Sequence, residues 1–175
     1  MVTASLGAGS ALLAGLRTLD RIGAIEAPFW CFGLGFGVIG WLTFFIGIVG
    51  HLALVPFAIM LVGCSFGVLF LLKAHPPKIG IGRLKTLPWL HWVLIIIIAL
   101  VALSDFIEAL APAADGDTLA YHFAQPIQFL SAKKITFMPR AVDATSPMLV
   151  NMTYLPLFAL GGERAVNLWL FFSGW

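Results

Sequence analysis

An all-α membrane protein is the fold class this sequence predicts, and three observations predict it. Uncharged runs long enough to cross a bilayer recur along the chain, only 10% of its residues are charged while 61% are hydrophobic, and its mean hydropathy is +1.01. A soluble domain usually carries about 25% charged residues, so an ordinary soluble globule is excluded. The expected architecture is about four transmembrane helices, the last truncated, with an outward loop holding two interfacial amphipathic helices. A net charge of +2, spread over dispersed basic residues, gives no sign of a nucleic-acid partner. The lipid bilayer is the expected surrounding. Cys31 and Cys64 lie inside apolar runs, where a thiol behaves as a small hydrophobe, and they have neither disulfide nor zinc-ligand spacing.

Residues 1–27 set Leu6, Leu12, Leu13, Leu16 and Leu19 against Arg17, Asp20 and Arg21. The basic residues follow the apolar stretch, which is the reverse of a signal peptide. A helix lying on the membrane surface as an anchor is expected there. Residues 28–50 and 51–72 are two uncharged runs, each longer than the roughly 20 residues that cross about 30 Å of hydrocarbon. With a turn at Gly50-His51 they predict a tight transmembrane hairpin over 28–72. Gly33, Gly35, Gly37 and Gly40 fall in its first arm and let another helix approach closely.

Residues 73–87 form a basic loop with Lys73, Lys78, Arg83 and Lys85 around the Pro76-Pro77 turn signal. The Gly80-Ile81-Gly82 fragment lacks the strand and third glycine of a nucleotide loop. A third span occupies residues 88–111. The lead-in and the basic loop hold Arg17, Arg21 and those four cations beside only Asp20 and Glu26. From residue 104 onward the cations are Lys133, Lys134, Arg140 and Arg164, and the acids are Asp105, Glu108, Asp115, Asp117, Asp143 and Glu163. By the positive-inside rule the N-terminus and the basic loop are cytoplasmic, and residues 112–162 face outward.

That outward stretch is longer than a turn requires, which marks it as functional or disordered. Leu119, Phe123, Ile127 and Leu130 recur at helical spacing, predicting an amphipathic helix over about 117–131. A second follows Pro147, with Leu149, Met152, Leu155 and Phe158 on one face, and ends at Gly161-Gly162. Residues 163–175 then begin a further apolar run too short to cross, so the chain reads as an N-terminal fragment of a longer protein.

The polar residues sort by cost. Asp105 and Glu108 share one helical face; they either mark where the third span meets water, where charge is cheap, or contribute to an outward cleft. Asp117 can cap the helix that follows it, or act chemically with Tyr121, four residues on and on the same face. His122 can carry a proton, ligate a metal, contact a phosphate or be structural. Lys133, Lys134 and Arg140 are surface cations able to neutralise a phosphate at the membrane.

The order of these features resembles the start of the C-type membrane glycosyltransferases, nearest to the clan of protein mannosyltransferases and lipid A aminoarabinose transferases. The resemblance rests on a span followed by the outward Asp117-Thr118-Leu119-Ala120-Tyr121-His122, two further helical segments and Gly161-Gly162-Glu163-Arg164, and covers about half of the chain. It implies an inverting transfer of a sugar from a polyprenyl-phosphate carrier to an acceptor hydroxyl or amine at the outer face of a bacterial inner (plasma) membrane. Asp117 would be the catalytic general base. Tyr121, His122, Lys133, Lys134 and Arg140 would bind substrate, and side-chain cations or a divalent metal ion would stabilise the departing phosphate. Thr118 stands where the clan often has a second acid, which leaves any metal ligands unknown. The hairpin over 28–72 would be an N-terminal addition. The alternative class is a non-enzymatic membrane scaffold or assembly subunit.

Overall fold

The structure, a computed structural model, describes residues 1–76, 88–114, 116, 118–137 and 149–175, with Tyr121 described by its backbone alone. Every regular element among the described residues is helical. Three stretches, Ala27–Ile48, Leu54–Ala74 and Trp89–Leu110, are long and apolar enough to cross a membrane. They are compatible with an integral membrane protein. The first is helix α2, opened by Pro28 in its first turn, where the missing N–H costs no hydrogen bond. The second divides at Gly67 into α3 (Leu54–Phe66) and α4 (Val68–Ala74).

Helix α1 (Val2–Gly15) departs from the expected surface helix. Ala4, Ser5, Gly7, Ala8, Gly9 and Ser10 are all buried, a run of small residues with no bulky side chain to hold a neighbouring backbone away. A Cβ on Gly9 would strike the Cys31 carbonyl, one on Gly35 the Ser5 carbonyl, and one on Gly7 the Cys64 carbonyl. These pairings run α1 antiparallel to α2 and alongside α3. The Ser10 hydroxyl completes the contact by donating to the Gly67 carbonyl at 2.6 Å and the Gly7 carbonyl at 3.0 Å.

With α1 lodged there, α2 and α3 touch each other far less than each touches α1. The two arms expected as a tight hairpin are therefore packed around a third helix. Their connection turns at Gly50, whose φ of 82° suits a residue without Cβ. The Leu52 N–H donates to the Lys133 carbonyl at 3.1 Å and the Ile135 N–H to the Gly47 carbonyl at 3.0 Å, pinning the segment around residues 133–135 to this turn.

Helix α5 (Trp89–Leu110) has no buried residue and packs mainly on the last helix. Beyond it, Thr118–His122 forms a π-helical turn closed by the Phe123 N–H to the Thr118 carbonyl at 2.8 Å, and α6 covers Ala124–Ala132. The wide turn shifts the helical phase. The expected face of Leu119, Phe123, Ile127 and Leu130 consequently packs only in part: Phe123 is buried and Leu130 half-buried, Leu119 and Ile127 are exposed, and Gln125, Pro126 and Phe129 are buried instead.

Helix α7 (Leu149–Gly174) is interrupted at Gly162, with φ 66° and ψ −160°, a conformation open essentially to glycine alone. In a straight helix Thr153 and Trp169 would stand about 24 Å apart, yet the Trp169 indole N–H donates to the Thr153 hydroxyl at 3.0 Å. The two halves fold back on each other. The first half is buried at six consecutive positions, Asn151 to Pro156. It is thus covered on all sides, which an amphipathic helix on a membrane surface would not be.

Candidate functional site

Where the end of α5 meets the second half of α7, a cleft of about 730 Å³ opens. Its walls carry Asp105 and Glu108 from α5, Thr118 from the π-turn, Asn167 and Phe171 from α7, and Trp175 just beyond α7. The segment after α5 is held by side chains of α7: the Ala113 N–H donates to Glu163 Oε1 at 2.7 Å, and Asn167 Nδ2 donates to the Ala111 carbonyl at 2.9 Å. Trp175 Nε1 donates to Asp105 Oδ2 at 3.0 Å across the opening, and Phe106 meets Phe171 edge to face at 5.5 Å. Asp105 is half-buried and Glu108 exposed.

Asp105 sits in the last-but-one turn of α5, and Glu108 in its last turn at the negative end of the helix dipole. There an acid is unfavourable by a few tenths of a kcal/mol to about 1. Their place in the wall is not a stabilising choice for the helix. They give the cleft two proton acceptors or an attraction for cations, beside a largely apolar wall.

Behind the cleft lies a layer that fixes α7. Phe123, Tyr154, Val166 and Trp169 are buried together, with Ala113, Phe32 and Phe36 packed against them. Trp169 stacks on Phe36 at 5.6 Å. Burial pushes the Tyr154 phenol above its ordinary pKa. The Thr153 hydroxyl that receives the Trp169 N–H itself donates to the Val150 carbonyl at 2.7 Å.

The expected site residues fall in different places. Asp117 and Arg140 lie outside the described residues, as does Asp115. Thr118, next to Asp117, lines the cleft, and the backbone of Tyr121 belongs to the π-turn. His122 turns toward α7, its Nδ1 lying 3.3 Å from Asn151 Oδ1. Lys133 and Lys134 are exposed and lie beyond α6 at the α2–α3 turn, with Lys133 at φ 55° capping the helix. Since α6 carries the chain roughly 13 Å along its axis, these lysines do not appear in the described lining of the cleft.

Glu163 was legible as part of Gly161-Gly162-Glu163-Arg164, and Asn167 only as a polar residue interrupting an apolar run. Among the described residues no group of three or more His, Cys, Asp or Glu side chains could hold a metal ion. The chain matches no family model, no curated protein and no solved structure.

Proposed function

We propose that this chain is an integral membrane protein and that its working site is the cleft between α5 and α7, serving the transfer of a sugar from a polyprenyl-phosphate carrier to an acceptor. The observation that carries the reading is the placement of Thr118, the residue after Asp117, in the wall of a cleft that also holds Asp105 and Glu108. In this reading Asp117 accepts the proton of the acceptor hydroxyl or amine. The acceptor atom then bonds to the anomeric carbon, and the bond from that carbon to the phosphate oxygen breaks, with inversion. The lipid phosphate leaves with the electron pair, neutralised by a divalent metal ion or by a cation beyond the described lining of the cleft. The proposed setting is a bacterial inner membrane, with the N-terminus cytoplasmic and residues 112–162 outward.

The test is sugar transfer from a radiolabelled polyprenyl-phosphate donor in membranes carrying the protein in the longest reading frame that encodes it. Asp117→Asn retains capping strength, because asparagine and aspartate cap about equally well. It removes a general base worth on the order of 10²–10⁴ in rate. A well-expressed, inactive Asp117→Asn beside an active Asp115→Asn supports the reading, and normal transfer by both variants leaves Asp117 as a cap.

One observation favours a second reading, a scaffold or assembly subunit: α5 buries no residue, which leaves an apolar rib for another membrane helix. In that case a partner subunit co-purifies with the wild type and is lost when α5 is replaced by polyleucine, while no donor turnover is seen.

A further inference from the structure

A second groove, of about 680 Å³, runs along α3 and α4 beside α1 and has no part in the cleft described above. We infer that it holds one acyl chain of an anionic bilayer phospholipid, with the phosphate of the headgroup on Lys73. The volume falls within the range of small-molecule sites. Ala8 and Ala11 of α1 line one side, and Gly63, Phe66, Leu69 and Phe70 of α3 and α4 the other. Short of Lys73, this described lining is apolar apart from the weakly donating Cys64 thiol.

Lys73 is the charged residue among those that line the groove, and it stands at its end. From Gly63 to Lys73 the helical rise is about 15 Å, half of a hydrocarbon core of about 30 Å. The slot is therefore as long as one leaflet is deep, with the cation at the level of the headgroups. The same end carries two more exposed cations, Arg17 and Arg21, beside exposed Asp20. The turn that holds them is tied to α4 by His75 Nε2, 3.1 Å from the Leu19 carbonyl. Charge and length together select an anionic phospholipid over a neutral one.

Gly63 supplies a test because a Cβ there would meet no atom within 4 Å, so a larger side chain starts in open space on the slot and not against a neighbour. The inference rests on the membrane reading, which is checked separately by alkaline carbonate extraction of host membranes. Release of the wild-type chain into the supernatant would overturn that reading and the lipid site with it. On the delipidated full chain in detergent, native mass spectrometry with added dioleoylphosphatidylglycerol is expected to show one retained lipid. Dioleoylphosphatidylcholine is expected to be held roughly fivefold more weakly, the factor that one cation at an anionic headgroup is worth. Gly63→Leu should abolish retention of both lipids while leaving the helical circular dichroism unchanged. Lys73→Glu should erase the preference for phosphatidylglycerol, and Lys73→Arg should keep it. Equal binding of the two lipids by the wild type, or undiminished binding by Gly63→Leu, would overturn the inference.

Discussion

In α1–α4 the helices meet through side chains that are missing, backbone against backbone at Gly7, Gly9, Gly35 and Gly67. In α5–α7 they meet through polar side chains that reach across a gap: Glu163 and Asn167 to the segment after α5, Trp175 to Asp105, and Trp169 to Thr153. The first kind of contact tolerates no added atom and offers no chemistry. The second encloses space lined by carboxylates. That contrast separates the closely packed N-terminal helices from the C-terminal helices, where the proposed site lies.

The largest expected effect comes from breaking the close contact. Gly35→Leu drives a side chain into the backbone of α1 and should cost at least the upper end of the roughly 1–3 kcal/mol seen for overpacking, read as loss of folded protein in a detergent thermal-shift assay. Gly33 lies two residues away on the same helix, and a Cβ there meets nothing. Gly33→Ala should therefore stabilise by up to about 1 kcal/mol through helix propensity. Equal effects of alanine at positions 33 and 35 would erase the distinction on which the scaffold rests.

Next in size is Gly162→Ala, which forces a side chain into a backbone region essentially reserved for glycine, at a cost of about 1–3 kcal/mol. Its thermal midpoint should fall, and the indole fluorescence of Trp169 should shift toward that of a solvated ring. Thr153→Val leaves the buried Trp169 N–H without its acceptor, which costs about 1–3 kcal/mol. A double-mutant cycle with Trp169→Phe should recover most of that loss, whereas strict additivity would show that the pair does not interact. The smallest effect is expected for Asp105→Asn: within about 0.5 kcal/mol of wild-type stability, as for an exposed or half-exposed polar change, but with sugar transfer impaired. A large stability loss would make Asp105 structural.

The helical class and the three apolar stretches were legible because hydrophobic length and the scarcity of charge are properties of local sequence. The place of α1 was not. The leucines and arginines of residues 1–27 suggested a two-faced helix, while the packing of α1 is decided by Gly7, Gly9 and their neighbours, which matter only when a specific partner backbone arrives. Residues 149–161 misled for a related reason. Leu149, Met152, Leu155 and Phe158 do recur at helical spacing, but burial continues all around the helix once the second half folds back on it. Asp105 and Glu108 were visible as a pair on one face, and the break at Gly161-Gly162 was legible too, but their meeting with Asn167 and Trp175 depended on the direction in which the chain leaves that break, which no spacing announces.

The cleft exists because α7 turns back at Gly162, so the most direct measurement is the distance between its two ends. Spin labels on cysteines at the exposed positions Val150 and Phe172 would lie about 33 Å apart on an unbroken helix at 1.5 Å per residue. The folded-back helix predicts a pulsed electron paramagnetic resonance distance of roughly 20 Å or less, about twice the 8–10 Å separation of packed helix axes, lengthening in Gly162→Ala. A single distance near 33 Å in the wild-type chain would contradict it and remove the wall on which the proposed site is built.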